Sequence, residues 1–177
     1  DLYGIARSGF DVISCQFAIH YLFQDKNTLF NFAANVSEAC KEGGYFIGTT
    51  YDGKKVYNAL KDKEVGESIN GVENEKVIWE IKRSFEKDRD FDTNDEQTLG
   101  FAIDVYQETI NKTFREYLVN IDYLKRVMER FGFTLMSNDN AKTSLRGLPY
   151  GSGSFELMHD LMKKEMKGAK QKNKSRF

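Results

Sequence analysis

The stretch Phe10-Asp11-Val12-Ile13-Ser14-Cys15-Gln16-Phe17-Ala18-Ile19-His20-Tyr21 decides the fold of this chain. Its first half is short, apolar and partly β-branched, and it follows Ser8-Gly9, which predicts a buried parallel strand. Asp25 or Asn27 can cap the helix that follows. The apolar residues of that helix recur at the helical period: Leu29, Phe32, Ala33, Val36 and Cys40. Gly43-Gly44 should end it before a second strand, which predicts one right-handed β-α-β unit.

The bulk composition is that of an ordinary soluble domain. The chain has 177 residues, of which 40% are hydrophobic and 30% charged. A net charge of -1 leaves no global basic field, so any contact with nucleic acid would need a local patch. No apolar run approaches the roughly 18 residues that cross a bilayer, and there is no signal-peptide pattern, which favours an intracellular protein. Cys15 and Cys40 are predicted to be packed thiols, and their spacing with the histidines does not predict a metal site.

From Glu75 the hydrophobic period changes to two. The alternating residues are Val77, Trp79 and Ile81, and then Phe101, Ile103 and Val105. This pattern predicts a pair of antiparallel strands joined by a long acidic loop. Asp52 is positioned to cap a helix between the β-α-β unit and this pair.

The rest of the chain predicts helices and one more strand. A helix with Leu124, Val127, Met128 and Phe131 should end at Gly132, and 133–136 should form a strand. Pro149 stands in a Gly-rich turn before an amphipathic helix. We expect residues 1–167 to form one partial domain and the Lys-rich residues 168–177 to form a mobile basic tail.

Polar and aromatic side chains cluster where the first strand ends. Ligands of open α/β sheets bind just outside the carboxyl ends of the strands, and Gln16, Phe17, His20 and Tyr21 fall there. Spacing alone leaves a plain alternative open, because Gln16 could satisfy loop amides and a lone histidine is often structural.

Two motifs carry a family resemblance. The Cys-Gln-Phe-x-x-His-Tyr run ending at Tyr21 and the Gly-Gly-Tyr-Phe-Ile-Gly-Thr-Thr strand ending at Thr50 resemble the mRNA cap guanine-N7 methyltransferases. Residues 147–167 resemble the large-DNA-virus branch, in which this domain is often the last of a multifunctional capping enzyme. The resemblance implies an α/β fold: the C-terminal part of a Rossmann-like class I methyltransferase sheet with an antiparallel strand insertion.

The resemblance also implies site residues. Gln16 and Tyr21 would contact the cofactor, S-adenosylmethionine, while Phe17 and His20 would line a guanine pocket. Glu116 matches the glutamate of the family's Pro-Glu-Phe-Leu-Val segment, which clamps guanine; a carboxylate can accept from both N1–H and the exocyclic amino group. Arg115 replaces the family's proline there, and the alternative is a surface glutamate paired with Arg115 or a lysine.

Tyr51-Asp52 replaces a second family proline, and we expect Tyr51 to stack there. No catalytic residue is expected, because N7 of guanine carries a free lone pair and needs no base; positioning suffices.

The implied function is methyl transfer from S-adenosylmethionine to N7 of the guanine of a 5′ GpppN mRNA cap. Capped RNA would be the partner, with guanylyltransferase and RNA triphosphatase domains in the parent polypeptide and no membrane. The location would be the virion or host cytoplasm for a viral protein, and the nucleus for a cellular one. The family's Gly-rich cofactor motif would lie before Asp1 and a final strand after Phe177, so we expect this fragment to be inactive alone. Two alternatives stay open: a class I methyltransferase for another substrate, and a non-catalytic stimulatory subunit.

Overall fold

The computed structural model describes residues 7–86, 88–144 and 150–174, without the side chains of 157 and 167–174. The strands are β1 (Phe10–Gln16), β2 (Cys40–Thr49), β3 (Ser68–Glu73), β4 (Lys76–Arg83), β5 (Ala102–Gln107) and β6 (Lys112–Tyr117). The helices are α1 (Ile19–Leu22), α2 (Lys26–Ala39), α3 (Gly53–Leu60), α4 (Ile121–Arg130), α5 (Asn138–Thr143) and α6 (Phe155–Lys174). The chain forms two compact units, which divide after Phe133.

The β-α-β unit is confirmed. β1 and β2 pair in parallel, with Gln16 opposite Thr49, and α2 connects them. Asp25 caps α2 by accepting hydrogen bonds from the backbone N–H and the hydroxyl of Thr28, at 2.9 and 3.0 Å. The helix ends earlier than the glycines predicted, because Cys40 is already extended, and β2 includes both Gly43 and Gly44.

The prediction that β1 is buried was wrong. Phe10 is 51% exposed and Val12 is 48% exposed. Within the described residues β2 is the one strand that pairs with β1. The apolar core lies instead between α2 and α4, where the buried residues include Leu29, Ala33, Val36, Tyr123, Val127 and Met128.

The predicted antiparallel pair is confirmed as β4 and β5, and it belongs to a four-stranded sheet of order β3-β4-β5-β6. The loop between β4 and β5, predicted as an acidic connection, also contributes buried aromatic side chains. Phe85 and Phe91 from this loop are buried against Phe101 and Leu60, and they form a second hydrophobic cluster. The buried Arg83 donates hydrogen bonds to loop carbonyls, including that of Phe85 at 3.1 Å.

The second unit contains α5 and α6. Residues 133–136, predicted as a strand, form no strand in the structure, and the Met136 carbonyl accepts from the Ser152 N–H at 2.6 Å instead of from a strand partner. Pro149 lies outside the described residues. Residues 168–174 continue α6, while 175–177 are not described, and mobility of this tail stays a prediction. No described helix has the length and apolar character needed to cross a membrane.

Candidate functional site

The carboxyl ends of β1 and β2 are linked by side-chain hydrogen bonds. The Gln16 Oε1 accepts from the Thr49 hydroxyl at 2.8 Å, and its Nε2 donates to the Ser14 hydroxyl at 3.0 Å. The Phe17 N–H donates to both the carbonyl and the hydroxyl oxygen of Thr49, at 3.0 Å each. Gln16 is therefore held in place, yet one amide hydrogen and further acceptor capacity are not used by these two bonds.

Phe17 has an unusual backbone conformation. Its φ is 50°, in the left-handed region that a residue with a bulky side chain rarely adopts. Its side chain is also exposed, with 53% of the residue surface accessible. Strained residues of this kind persist where the surrounding structure holds them, and they cluster at ligand sites.

A buried histidine and a buried glutamate meet where α1 packs against β6. His20 is 3% exposed and Glu116 is 5% exposed. The His20 Nε2 lies 3.6 Å from the Glu116 Oε1, which is too long for a hydrogen bond. Within the described residues, both ring nitrogens of His20 and the Oε2 of Glu116 are buried without any hydrogen-bond partner. Such unsatisfied buried groups are rare in folded proteins, and they mark a place where a ligand can supply the missing bonds.

Burial shifts both titrations toward the neutral forms. It raises the pKa of Glu116 from 4.5 to about 7 and lowers the pKa of His20 below its ordinary value. The alternative of a surface Glu116 paired with Arg115 was wrong. Arg115 points to the opposite face of β6, where its Nε donates to the Oδ1 of Asp104 at 2.5 Å.

Two tyrosine rings enclose the His20 imidazole. The Tyr21 ring packs edge-on with its centroid 4.3 Å away, and the Tyr51 ring stacks at 5.8 Å with an interplanar angle of 27°. The hydroxyl of Tyr51 accepts a hydrogen bond from the Gln107 Nε2 at 3.2 Å. Tyr51 thus stacks on His20, and the expectation that it takes the place of the family's proline stays a prediction.

Gly53 allows the segment that carries Tyr51 to approach His20 and β6. A Cβ at residue 53 would lie 2.3 Å from the Val119 carbonyl oxygen, so only glycine lets the start of α3 approach the chain that follows β6. The Gly53 N–H donates to that same carbonyl at 3.2 Å. This contact fixes the segment that carries Tyr51 beside the strand that carries Glu116.

The structure thus brings His20, Tyr21 and Glu116 together, while Gln16 and Phe17 lie at the adjoining end of β1. Sequence reasoning missed Gln107, although the alternation along β5 indicates that it shares a face with Ile103 and Val105. It also missed the hydroxyl of Thr50, which is buried and has no hydrogen-bond partner in the part of the chain that the structure describes.

The strand ends are chemically suited to the polar groups of a nucleoside–amino acid cofactor such as S-adenosylmethionine. Gln16 has spare hydrogen-bonding capacity at the end of β1, and the Thr50 hydroxyl directly follows β2. Both lie at the carboxyl ends of neighbouring parallel strands, where such ligands bind. Among the described residues, no group of three or more His, Cys, Asp or Glu side chains is arranged to hold a metal ion.

These features define an α/β protein with a candidate site at the carboxyl edge of a parallel strand pair, where a buried glutamate lies beside a buried histidine. The family comparison is specific: a model described as "mRNA (guanine-N(7))-methyltransferase domain" matches residues 2–176. The chain belongs to this family.

Viral and cellular relatives match the chain. A "Probable mRNA-capping enzyme" of Acanthamoeba polyphaga mimivirus is 34% identical over 73% of this chain and 11% of that protein. An "mRNA-capping enzyme" of African swine fever virus is 31% identical over 80% of this chain and 16% of that protein. The "mRNA cap guanine-N(7) methyltransferase" of Caenorhabditis elegans is 40% identical over 37% of this chain and 17% of that protein. The resemblance to the large-DNA-virus branch is confirmed, and the chain spans only a small part of these relatives.

Among solved structures, a S-adenosylmethionine-dependent methyltransferase from Clostridium acetobutylicum matches with a TM-score of 0.45 and 17% identity. The match covers 72% of this chain and 49% of that one.

Proposed function

We propose that this chain forms the guanine-binding part of an mRNA cap methyltransferase, which transfers a methyl group from S-adenosylmethionine to N7 of the guanine in a 5′ GpppN cap. The observation that carries the proposal is the buried pair of Glu116 and His20, which leaves polar atoms unsatisfied within the described residues and has two tyrosine rings packed on its imidazole, in a chain of this family. Capped RNA is then the partner, together with other capping domains of a parent polypeptide in a virion or host cytoplasm.

Glu116 recognises the Watson–Crick edge of guanine. Its ionised carboxylate accepts from N1–H and from the exocyclic amino group, which is a pair of donors that adenine lacks. The neutral His20 has one N–H to donate to O6 of the base. These bonds would supply partners to the Glu116 Oε2 and to one ring nitrogen of His20, which have none within the described residues.

For the base to reach Glu116, one of the two tyrosine rings, Tyr21 or Tyr51, must turn away. Tyr21 is 44% exposed, whereas the Tyr51 hydroxyl is tied to Gln107. Tyr21 is therefore the ring that moves, and Tyr51 stays as a wall. Phe17 offers an exposed aromatic face for stacking on the base, a contact worth about 1–3 kcal/mol.

Gln16 and Thr50 would hold the cofactor at the strand ends, with Tyr21 between cofactor and base. S-adenosylmethionine supplies an electrophilic methyl group when it is bound. The chain's own residues hold N7 toward that group and exclude water, and no general base is needed because N7 carries no proton.

The test is titration calorimetry of the 177-residue chain with GTP and GpppG, and with ATP and ApppA as the adenine counterparts. We expect the guanine ligands to bind and the adenine ligands to bind at least about tenfold more weakly, from the loss of a bidentate contact. Glu116→Ala should abolish guanine binding, and in a complete methyltransferase it should abolish cap methylation while S-adenosylmethionine affinity is unchanged. Equal affinity for GTP and ATP, or equal loss of both ligands in Glu116→Ala, would contradict the guanine clamp.

The exposed apolar edge of β1 favours a second candidate, a chain that acts only with a partner that completes the sheet. Phe10 and Val12 are about half exposed on a strand paired on one side within the described part of the chain. Methylation of GpppG that occurs only after mixing with that partner is the expected result of this candidate. Methylation by the chain alone would exclude it.

A further inference from the structure

An open groove of about 420 Å³ lies along the antiparallel sheet and shares the Tyr51 wall of the guanine site. Its lining includes Trp79, Ile81, Val105 and Gln107 and is largely apolar. The proposed contacts with guanine use none of these four side chains. The groove is therefore a separate surface that adjoins the candidate guanine site.

The strand register places the groove and Glu116 on one face of the sheet. Trp79 is directly opposite Gln107, Ile81 is opposite Val105, and Ile103 is opposite Glu116. Directly opposed residues share a face, and so do residues two apart along β5. The sheet face that bears Glu116, the proposed guanine clamp, thus continues along β5 from Ile103 to Gln107 and Trp79. Four residues along a strand span about 13 Å.

Trp79 is arranged as a flat platform. A Cβ at Gly71 would lie 2.3 Å from the Trp79 Nε1 and 2.6 Å from its Cε2, so the indole rests directly on the backbone of β3. The residue is still 39% exposed. Only a glycine at this position lets the ring lie against the strand while part of its surface remains open to a ligand.

We propose that this groove binds the base of the first transcribed nucleotide, the one joined to the cap guanosine through the triphosphate bridge. This inference rests on the proposed function, because it needs the cap guanine at Glu116. The 5′–5′ triphosphate and two riboses hold the second base well away from the first, and the groove begins at the shared Tyr51 wall. The apolar lining and the indole face suit any base, since base–aromatic stacking tolerates sequence.

Gln107 links the two subsites. Its amide nitrogen donates to the Tyr51 hydroxyl, and its side chain also lines the groove. Gln107 therefore orients the wall that the cap guanine and the next base have in common.

The experiment uses the fluorescence of Trp79, the only tryptophan in the chain, with the full 177-residue protein. GTP provides the guanine and triphosphate without a second base, whereas GpppG and GpppA provide both. We expect GTP to bind and leave the emission unchanged, and GpppG and GpppA to quench it to a similar extent. One stacked base should make GpppG bind about 5- to 150-fold more tightly than GTP.

Variants separate the platform from the guanine clamp. Trp79→Ala should reduce GpppG affinity to that of GTP without changing GTP affinity, and Trp79→Phe should keep most of the difference. Gly71→Ala, which lifts the indole from β3, should reduce the preference for GpppG, whereas Val72→Ala, at the exposed neighbouring residue, should not.

The outcomes distinguish the two proposals. Equal affinity of the wild-type chain for GTP and GpppG, with unchanged emission, would overturn the groove assignment and leave the guanine clamp standing. Failure of both ligands to bind would overturn the proposed function and this inference with it.

Discussion

Replacing Glu116 with Gln should stabilise the chain at alkaline pH while removing guanine binding. The side chain is buried, and burial raises its pKa from 4.5 to about 7. The difference between 4.5 and about 7, at about 1.4 kcal/mol for each pH unit, corresponds to a cost of about 3 kcal/mol for holding the ionised carboxylate in the fold. A neutral amide of the same shape avoids that cost.

The sign follows from the protons bound in each state. Between pH 4.5 and 7 the folded chain keeps a proton on Glu116 that the unfolded chain has lost, so its stability falls as pH rises through this range. Above about pH 7 the full cost is present. The gain in unfolding free energy from Glu116→Gln should therefore be about 2–3 kcal/mol larger at pH 8 than at pH 5.

Urea unfolding followed by circular dichroism at both pH values measures this difference. Asp104→Asn is the matched control on the neighbouring strand. Burial opposes ionisation of Asp104, but hydrogen bonds from Arg115 and Ser84 outweigh it and hold the pKa below its usual value. Asp104→Asn should therefore destabilise the chain at pH 8. A Glu116→Gln effect that is the same at both pH values, or destabilising at pH 8, would refute the idea of a desolvated carboxylate.

Three further predictions concern the same site. GTP affinity should be about tenfold lower at pH 6 than well above pH 7, because only the ionised Glu116 can accept from both guanine donors; calorimetry across this range checks it, and an affinity that is the same at both pH values would contradict this role of Glu116. Phe17→Gly should raise the free energy of unfolding by about 1 kcal/mol by relieving the positive φ, yet weaken GTP binding through loss of the aromatic face; a gain in affinity would contradict the stacking role. Arg115→Ala should leave GTP affinity within about twofold of wild type, because the guanidinium pairs with Asp104 on the other face of β6; a large loss in calorimetry would show that Arg115 reaches the ligand.

The parts of the fold that follow from local pattern were predictable. The cap at Asp25, the helical spacing from Leu29 to Val36, and the alternation along β4 and β5 each depend on residues close together in the chain. What the pattern left open depends on long-range pairing. β3 and β6 extend the sheet on both sides of the predicted pair, and residues 133–136 have strand composition but no strand beside them in the structure.

The sequence indicated the residues of the candidate site, but it did not indicate their electrostatics. Motif letters indicated His20 and Glu116, although they are 96 positions apart in the sequence. Their burial and their missing hydrogen bonds follow only from the packing of α1 against β6. Without the family resemblance, a solvated glutamate beside Arg115 was the favoured interpretation. The alternation of side chains across β6 decides between the two, because it turns consecutive residues to opposite faces.

Three unfavourable features converge on this one site, which is a physical reason to regard it as a ligand site. The buried Glu116 carboxylate resists ionisation, the His20 imidazole has no hydrogen-bond partner among the described residues, and Phe17 holds a positive φ that glycine would adopt without strain. Each costs on the order of 1–3 kcal/mol, a large fraction of the stability of a domain. Common substitutions would relieve each cost separately, so packing alone gives no reason for all three to occur together. A planar base with two donors toward Glu116 and an acceptor toward His20 would relieve the first two costs, and the exposed face of Phe17 lies at the adjoining end of β1.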